Sequence, residues 1–367
     1  MRAPIRIIVA SRLRGLACVA SGFHPRRLNR RHRSDDATPH TGVAAVALPL
    51  PWQRIGLLLC FLCLLIGCQA FAQTGDKYPG EFAEIRATFA FTDRDGANID
   101  ISYLDTGGSG DTAFVLLHGF GASAFTWHAI LPSLAECHRV IALDLKGFGE
   151  SGKPDDGRYS VFDQAEIVDA LIVRLRLRQV ILGGHSMGGT IALALASDPP
   201  GERDYAVCRL ILFAAAAFRQ RLPLFIMALD IPVIGEIALR VLPPTTTTRL
   251  VLEAGYYNDD LITRDDIEAY ARGLESPGGR RALTDAASAL ADLNESGYTF
   301  DFDKIRVPVL VIWGKHDTVV PSGYAFALRD ALPGPVSFHM LSECGHISPT
   351  EQPQEILGLI KEFLSND

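Results

Sequence analysis

No apolar run in the 367-residue chain reaches the roughly 20 residues that a bilayer-spanning helix needs. The longest, Ile55–Ile66, stops at about a dozen. Cysteines are few: Cys18, Cys60, Cys63 and Cys68 fall early, and only Cys137, Cys208 and Cys344 follow. Those three show neither CxxC nor Cys/His spacing, so no zinc site is expected. Their odd number allows at most one disulfide, with buried free thiols the plainer expectation. No tandem repeat is visible, and lysine is missing from the first 72 residues. Disorder is not the default either, because 48% of residues are hydrophobic and only 21% charged. Such a chain can bury the core of one large domain or two ordinary ones.

Charge is divided unevenly. Residues 1–72 carry ten arginines against two aspartates, a net +8, whereas the 25 basic and 40 acidic residues of the remainder give −15. An acidic body repels nucleic acid, so no nucleic-acid partner is expected. The basic stretch belongs to a leader. Arg54, the apolar run and the small residues after it follow the secretory signal pattern. Leu65-Ile66-Gly67-Cys68 resembles the bacterial lipobox, which implies lipidation at Cys68 and a site on the periplasmic face of a membrane. Cleavage after Ala70-Phe71-Ala72, giving a secreted or periplasmic soluble protein, and retention as an uncleaved anchor are the alternatives. A signal segment starts near its basic residue, yet 53 residues precede Arg54. The expected translation start is therefore close to Val46 or Leu48.

Beyond the leader, residues 82–106 alternate apolar and polar around Asp93-Arg-Asp-Gly96, the pattern of a β-hairpin. Five continuous apolar runs follow, at Ala113–Leu117, Val140–Leu143, Val180–Leu182, Leu210–Phe213 and Val309–Ile312. Strands buried on both faces of a parallel sheet read this way. Helical patterns at Phe162–Leu177 and Thr190–Ser197 lie between them, with Arg174, Arg176 and Arg178 placed to complement a helix dipole. Strand and helix alternate, which predicts a doubly wound, mostly parallel α/β sheet. The alternation breaks over 218–300, where helical spacing returns around Arg264–Leu274 and Arg281–Leu293. The expected organisation is a leader over 1–72, a core from 73–217 and 301–367, and a helical cap inserted at 218–300.

The chemistry centres on Gly184-His-Ser186-Met-Gly188, placed after one apolar run and before Thr190–Leu195. A bare GxSxG arises by chance in roughly one chain in ten of this length, so its context decides. A sharp strand-to-helix turn needs small neighbours, and Gly184 and Gly188 supply them. The turn lifts the Ser186 hydroxyl to a helix N-terminus, where free N–H groups favour developing negative charge. Leu116-Leu-His118-Gly119-Phe120-Gly121 follows the first buried run. There Gly119 lets the Phe120 N–H turn toward the serine, and the Met187 N–H is the second oxyanion donor. His118 and His185 are expected to brace their loops. His128 and His138 are expected to lack partners. Asp317 ends the apolar run Val309–Ile312 plus Trp313-Gly-Lys-His, and His346 follows the last strand-like segment, Val336–Leu341.

Ser186, Asp317 and His346 stand in the order of the α/β-hydrolases, and residues 82–364 resemble a lidded member of that family. Asp144-Leu-Lys-Gly-Phe-Gly-Glu-Ser-Gly152 resembles the family's D-x-x-G-x-G-x-S loop, with Asp144 fixing loop structure. The resemblance implies an α/β-hydrolase fold with an inserted cap and a Ser186–His346–Asp317 triad. It implies cleavage of a small-molecule carboxylic ester through an acyl-enzyme, with no metal or cofactor. Haloalkane dehalogenases and epoxide hydrolases of this fold use aspartate where Ser186 stands. Aminopeptidases and vinylogous-diketone (C–C bond) hydrolases share the serine, and a ligand-binding hydrolase-fold protein without turnover is the non-enzyme alternative. C–C hydrolases usually place an aromatic residue soon after the histidine, whereas Ile347-Ser-Pro follows here. The apolar stretch Leu222–Ile234 could line an acyl pocket, sit on lipid, or simply pack on the core.

Overall fold

The computed structural model describes residues 80–108, 112–197, 203–231 and 233–365. The expected leader over 1–72, with Cys68, lies outside the described residues. Strands β1 (Arg86–Thr92) and β2 (Asn98–Asp105) pair antiparallel from Arg86↔Leu104 to Thr92↔Asn98. Asp93 makes the turn between them. Its Oδ1 accepts the N–H groups of Asp95 at 3.0 Å and Ala97 at 2.8 Å, an Asx-type turn completed by Gly96 at φ 81°.

The apolar runs form β3 (Thr112–Leu117), β4 (Arg139–Leu143), β5 (Gln179–His185), β6 (Ala206–Phe213), β7 (Val309–Gly314) and β8 (Val336–Leu341). The eight strands lie in the order β1-β2-β4-β3-β5-β6-β7-β8, and only the β1–β2 and β2–β4 pairings are antiparallel. This is a doubly wound, mostly parallel α/β sheet, as the alternation predicts. Each central strand is buried on both faces because its neighbouring residues enter opposite core clusters. Ala113, Val115 and Leu117 enter one, with Phe114 and Leu116 in the other; Val309, Val311 and Trp313 likewise oppose Leu310 and Ile312. At about 1.5–3 kcal/mol per fully buried large apolar side chain, this rigid floor fixes where the strand ends point.

Helices cover both faces. Among the described residues they are α1 (Gly80–Ala83), α2 (Leu131–Ala135), α3 (Val161–Arg174), α4 (Met187–Ser197), α5 (Leu224–Asp230), α6 (Ile234–Val241), α7 (Pro244–Gly255), α8 (Arg264–Glu275), α9 (Gly279–Ser296), α10 (Gly323–Ala331), α11 (Ser348–Glu351) and α12 (Pro353–Ser365). A capping box starts α3, with Ser160 and Asp163 each holding the other's backbone N–H. The helix ends before the expected Leu177: Leu175 is its C-cap and Arg176 turns left-handed at φ 54°. Of the three arginines read against the helix dipole, only Arg174 stands in the last turn.

Helices α5–α9 separate β6 from β7. A second capping box, Thr263 with Asp266, starts α8. Helix α7 is the element the sequence pattern did not resolve. The four β-branched residues Thr245–Thr248 argue against a helix, but Pro244 at its first turn and the burial of Thr248 and Leu252 override that preference. Packing on the core does not account for the apolar stretch before it. Ile226 and Leu239 are buried, whereas Leu224 is 73% and Val233 65% exposed, and Met227, Ile231, Ile234, Ile237 and Val241 are exposed too. No helix among the described residues is long and apolar enough to cross a membrane.

Candidate active site

The parallel strands bring His118, Asp144, Ser186, Asp317 and His346 to their C-terminal ends, where open α/β sheets place their sites. Ser186 sits between β5 and α4 at φ 53°, a left-handed conformation that is strained for a residue with a side chain. Its N–H donates to Phe213 O at 2.8 Å, and its carbonyl accepts from Thr190 N–H at 3.1 Å. The neighbours must be glycine. A Cβ on Gly184 would lie 2.6 Å from Gly189 N, and one on Gly188 would lie 2.6 Å from His118 O and closer still to Leu117 O. The neighbours of Ser186 in sequence are buried, whereas Ser186 itself is partly exposed.

The His118–Gly121 loop lies against the serine: a Cβ on Gly119 would meet Ser186 Cβ at 3.3 Å and His185 Nδ1 at 2.9 Å. Gly119 O accepts from the His118 ring at 2.8 Å and from Ala122 N–H at 3.3 Å. A trans peptide points its C=O and N–H in opposite directions, so pinning that carbonyl aims the Phe120 N–H the other way. Neither Phe120 N–H nor Met187 N–H has a protein acceptor among the described residues. Leu145 N–H donates to His118 Nε2 at 2.9 Å, so Nδ1 carries the proton given to Gly119. Burial pushes His118 down to about 4, against the pull of Asp144. A neutral imidazole with both nitrogens occupied is no general base.

Asp317 and His346 meet directly. His346 Nδ1 donates to Asp317 Oδ2 at 2.8 Å, and Asp317 Oδ1 accepts from Val319 and Val320 N–H at 2.9 and 2.8 Å. That leaves His346 Nε2 as the free nitrogen of the pair. The His185 ring packs 4.7 Å from the His346 ring and donates Nε2–H to His346 O at 2.8 Å. Its buried Nδ1 has no hydrogen-bond partner among the described residues, and burial together with nearby His346 lowers the ring's pKa to about 3.

Asp144 is fully buried and binds loops rather than facing Ser186. It accepts from Ala124 N–H at 2.7 Å, Glu150 N–H at 3.0 Å and Arg86 Nη1 at 2.7 Å. His128 and His138 do have neighbours: His128 stacks on Phe125 at 4.3 Å, and His138 meets Phe114 edge-on at 5.2 Å. All three body cysteines are free, but only Cys344 is buried; Cys137 is exposed and Cys208 intermediate. A surface cleft of about 450 Å³ between α3 and α9, lined by Phe162, Asp285, Asp292 and Tyr298, stands apart from these residues.

A family model described as the alpha/beta hydrolase family matches residues 114–359, well over half of the chain. The chain belongs to the alpha/beta hydrolase family. Within it, the chain is 29% identical over 272 residues to YugF, an uncharacterized hydrolase of Bacillus subtilis, covering 74% of this chain and 95% of that one. It is 27% identical over 262 residues to the 2-hydroxy-6-oxo-2,4-heptadienoate hydrolase of Pseudomonas putida, covering 68% and 88%. Among solved structures, Cfl2 from Burkholderia cenocepacia superposes with a TM-score of 0.64 at 22% identity, covering 76% and 95%, a likeness of fold.

In this alpha/beta hydrolase the His118–Gly121 loop is flanked by apolar side chains. The Phe120 ring meets Phe148 at 6.1 Å and Phe225 of α5 at 6.4 Å, and a Cβ on Gly121 would touch Leu283 of α9 at 3.6 Å. Helices α5 and α9 therefore reach the His118–Gly121 loop. Two features escaped the sequence reading. Glu351, in an ordinary-looking Ser-Pro-Thr-Glu helix, is buried against the His346 loop, and the end of α7 hydrogen-bonds that loop. No spacing rule connects either to His346; only the folded chain does.

Proposed function

We propose that this hydrolase cleaves carboxylic esters with an apolar acyl group, using Ser186 as nucleophile, His346 as base and Asp317 as the group orienting it. The observation that carries the reading is a strained, partly exposed serine at the strand-to-helix turn, together with a buried Asp317–His346 pair 2.8 Å apart at the same end of the sheet. His346 Nε2 takes the Ser186 proton as Oγ attacks the carbonyl carbon. The resulting oxyanion accepts from Phe120 and Met187 N–H, each donor contributing about 2.7–4 kcal/mol to the transition state. His346 then gives its proton to the leaving alkoxide, and the alcohol departs. His346 takes a proton from water as the water oxygen attacks the acyl-enzyme, then returns that proton to Ser186 Oγ as the C–O bond breaks and the acid leaves. Asp317 fixes the Nδ1–H tautomer throughout without taking the proton.

Apolar side chains beside the His118–Gly121 loop, those of Phe120, Phe148, Phe225 and Leu283, support an apolar substrate group over a charged one. A second reading, C–C bond hydrolysis, is favoured by the relative of Pseudomonas putida. A p-nitrophenyl ester series from two to sixteen acyl carbons, run beside a vinylogous diketone, separates the two. Medium-chain ester turnover that disappears in Ser186→Ala is expected. Turnover of the diketone with none of any ester would replace the first reading by the second. For location we propose export with lipidation at Cys68, checked by labelled-palmitate incorporation that Cys68→Ala abolishes.

A further inference from the structure

Glu351 is a buried carboxylate that takes no part in the proton transfers above. Its Oε1 accepts from Gly345 N–H at 3.1 Å and Ile347 N–H at 3.0 Å. Its Oε2 accepts from Gly345 N–H at 2.9 Å and from Tyr257 N–H at 2.8 Å. One side chain thus holds the amides on both sides of His346 and an amide just past α7. Glu351 closes the single turn of α11, and its Oε1 also satisfies the free N–H of that turn's N-cap, Ile347. A carboxylate is costly to bury unless its acceptors are filled, and here three N–H donors fill them with charge-assisted bonds.

The same segment of the cap meets both loops of the Asp317–His346 pair. His346 N–H donates to Gly255 O at 2.6 Å, and Thr318 Oγ1 donates to Ala254 O at 2.7 Å. Tyr256 OH lies 2.9 Å from Thr350 Oγ1, and the Tyr257 ring stacks on His316 at 4.5 Å. There is no slack: a Cβ on Gly345 would lie 2.7 Å from Tyr257 N and closer still to Gly255 O.

We infer that Glu351 is a positioning residue for His346, and that by holding Tyr257 as well it makes seating of the cap and placement of the base a single event. The inference rests on the serine-hydrolase reading. Glu351→Gln keeps the size of the side chain but sets an NH2 group against one of the N–H donors. The rate at which a fluorophosphonate labels Ser186 should fall about 10²-fold, the scale of a 1 Å misplacement, with the unfolding midpoint little changed. On esters kcat should carry the loss, with KM within about threefold. In a His346→Ala background the same substitution should leave the residual labelling rate unaltered, because it acts through the base. Should Glu351→Gln not fold, Glu351→Asp, which keeps the charge but shortens the reach, should lose about tenfold. Wild-type labelling in either folded variant, or an undiminished further loss on top of His346→Ala, overturns the assignment. A wild-type chain that takes no Ser186-dependent label removes the serine chemistry first, and the assignment with it.

Discussion

Gly188→Ala is the most informative single-atom test of the site. The new methyl would sit 2.6 Å from His118 O and closer still to Leu117 O, both main-chain atoms at the end of a central strand. A carbon needs about 3.3–3.6 Å from a carbonyl oxygen, so α4 and the His118 loop must part by about 1 Å. They carry one proposed oxyanion donor each, Met187 N–H and Phe120 N–H, so that gap opens between the two. The loss should match removal of one donor, about 2.7–4 kcal/mol or 10²–10³ in kcat. Overpacking of this kind also costs about 1–3 kcal/mol of stability, which lowers the melting temperature by several degrees in a chain of this size. Steady-state ester kinetics and thermal unfolding monitored by circular dichroism measure both quantities. A Gly188→Ala protein with wild-type kcat would refute the placement of the oxyanion site between these two segments. Lost activity without any loss of stability would refute the steric argument.

Other expectations follow from the same geometry. Asp317→Asn keeps the shape but offers an NH2 to His346 Nδ1, favouring the wrong tautomer; kcat should fall about 10⁴-fold, and a loss under tenfold would count against the pair. Ser186→Gly abolishes activity yet relieves the left-handed strain at φ 53°. The relief of about 1–3 kcal/mol, less about 0.5–1 for the added freedom of glycine in the unfolded chain, should raise the melting temperature. A melting temperature below wild type would contradict the strain. His118 and His185, held at about 4 and about 3, are neutral in the folded protein, whereas the unfolded chain takes up protons below about 6.5. Their contribution is therefore complete above pH 6.5 and is lost as pH falls toward 4 and 3, on the order of 3 kcal/mol for His118 alone. Urea unfolding from pH 7 to 5 should show this decline; a flat profile would mean that neither ring is buried neutral.

The sheet was legible because its strands are continuous apolar runs, and a strand buried on both faces leaves no room for polar residues. The helix ends and the inserted segment were less so. The end of α3 was misplaced because Leu175 and Leu177 continue the helical period, although Arg176 turns left-handed. Helix α7 was hidden by its four threonines, whose poor propensity is overcome by burial that only the fold creates. Ser186, Asp317 and His346 could be named because strand ends mark them in the sequence. Glu351 and the α7 terminus could not, since the contact between Tyr257 and Glu351 joins residues 94 apart with no shared motif. His118 was legible as a brace, but the reason, a carbonyl pinned so that the next N–H points away, is visible only in three dimensions.

The bond from His346 N–H to Gly255 O has a thermodynamic consequence. Proteins open in parts, and a region with many exposed side chains opens at lower free energy than a sheet buried on both faces. His346, carried by a loop of the sheet, is held by a carbonyl at the end of α7, within the inserted helical segment whose first helices, α5 and α6, expose many side chains. Placement of the proposed base is thus tied to that segment as well as to the sheet. On warming, turnover should fade at the temperature where the α7 end lets go, while the strands beneath remain folded and ready to re-form the site on cooling.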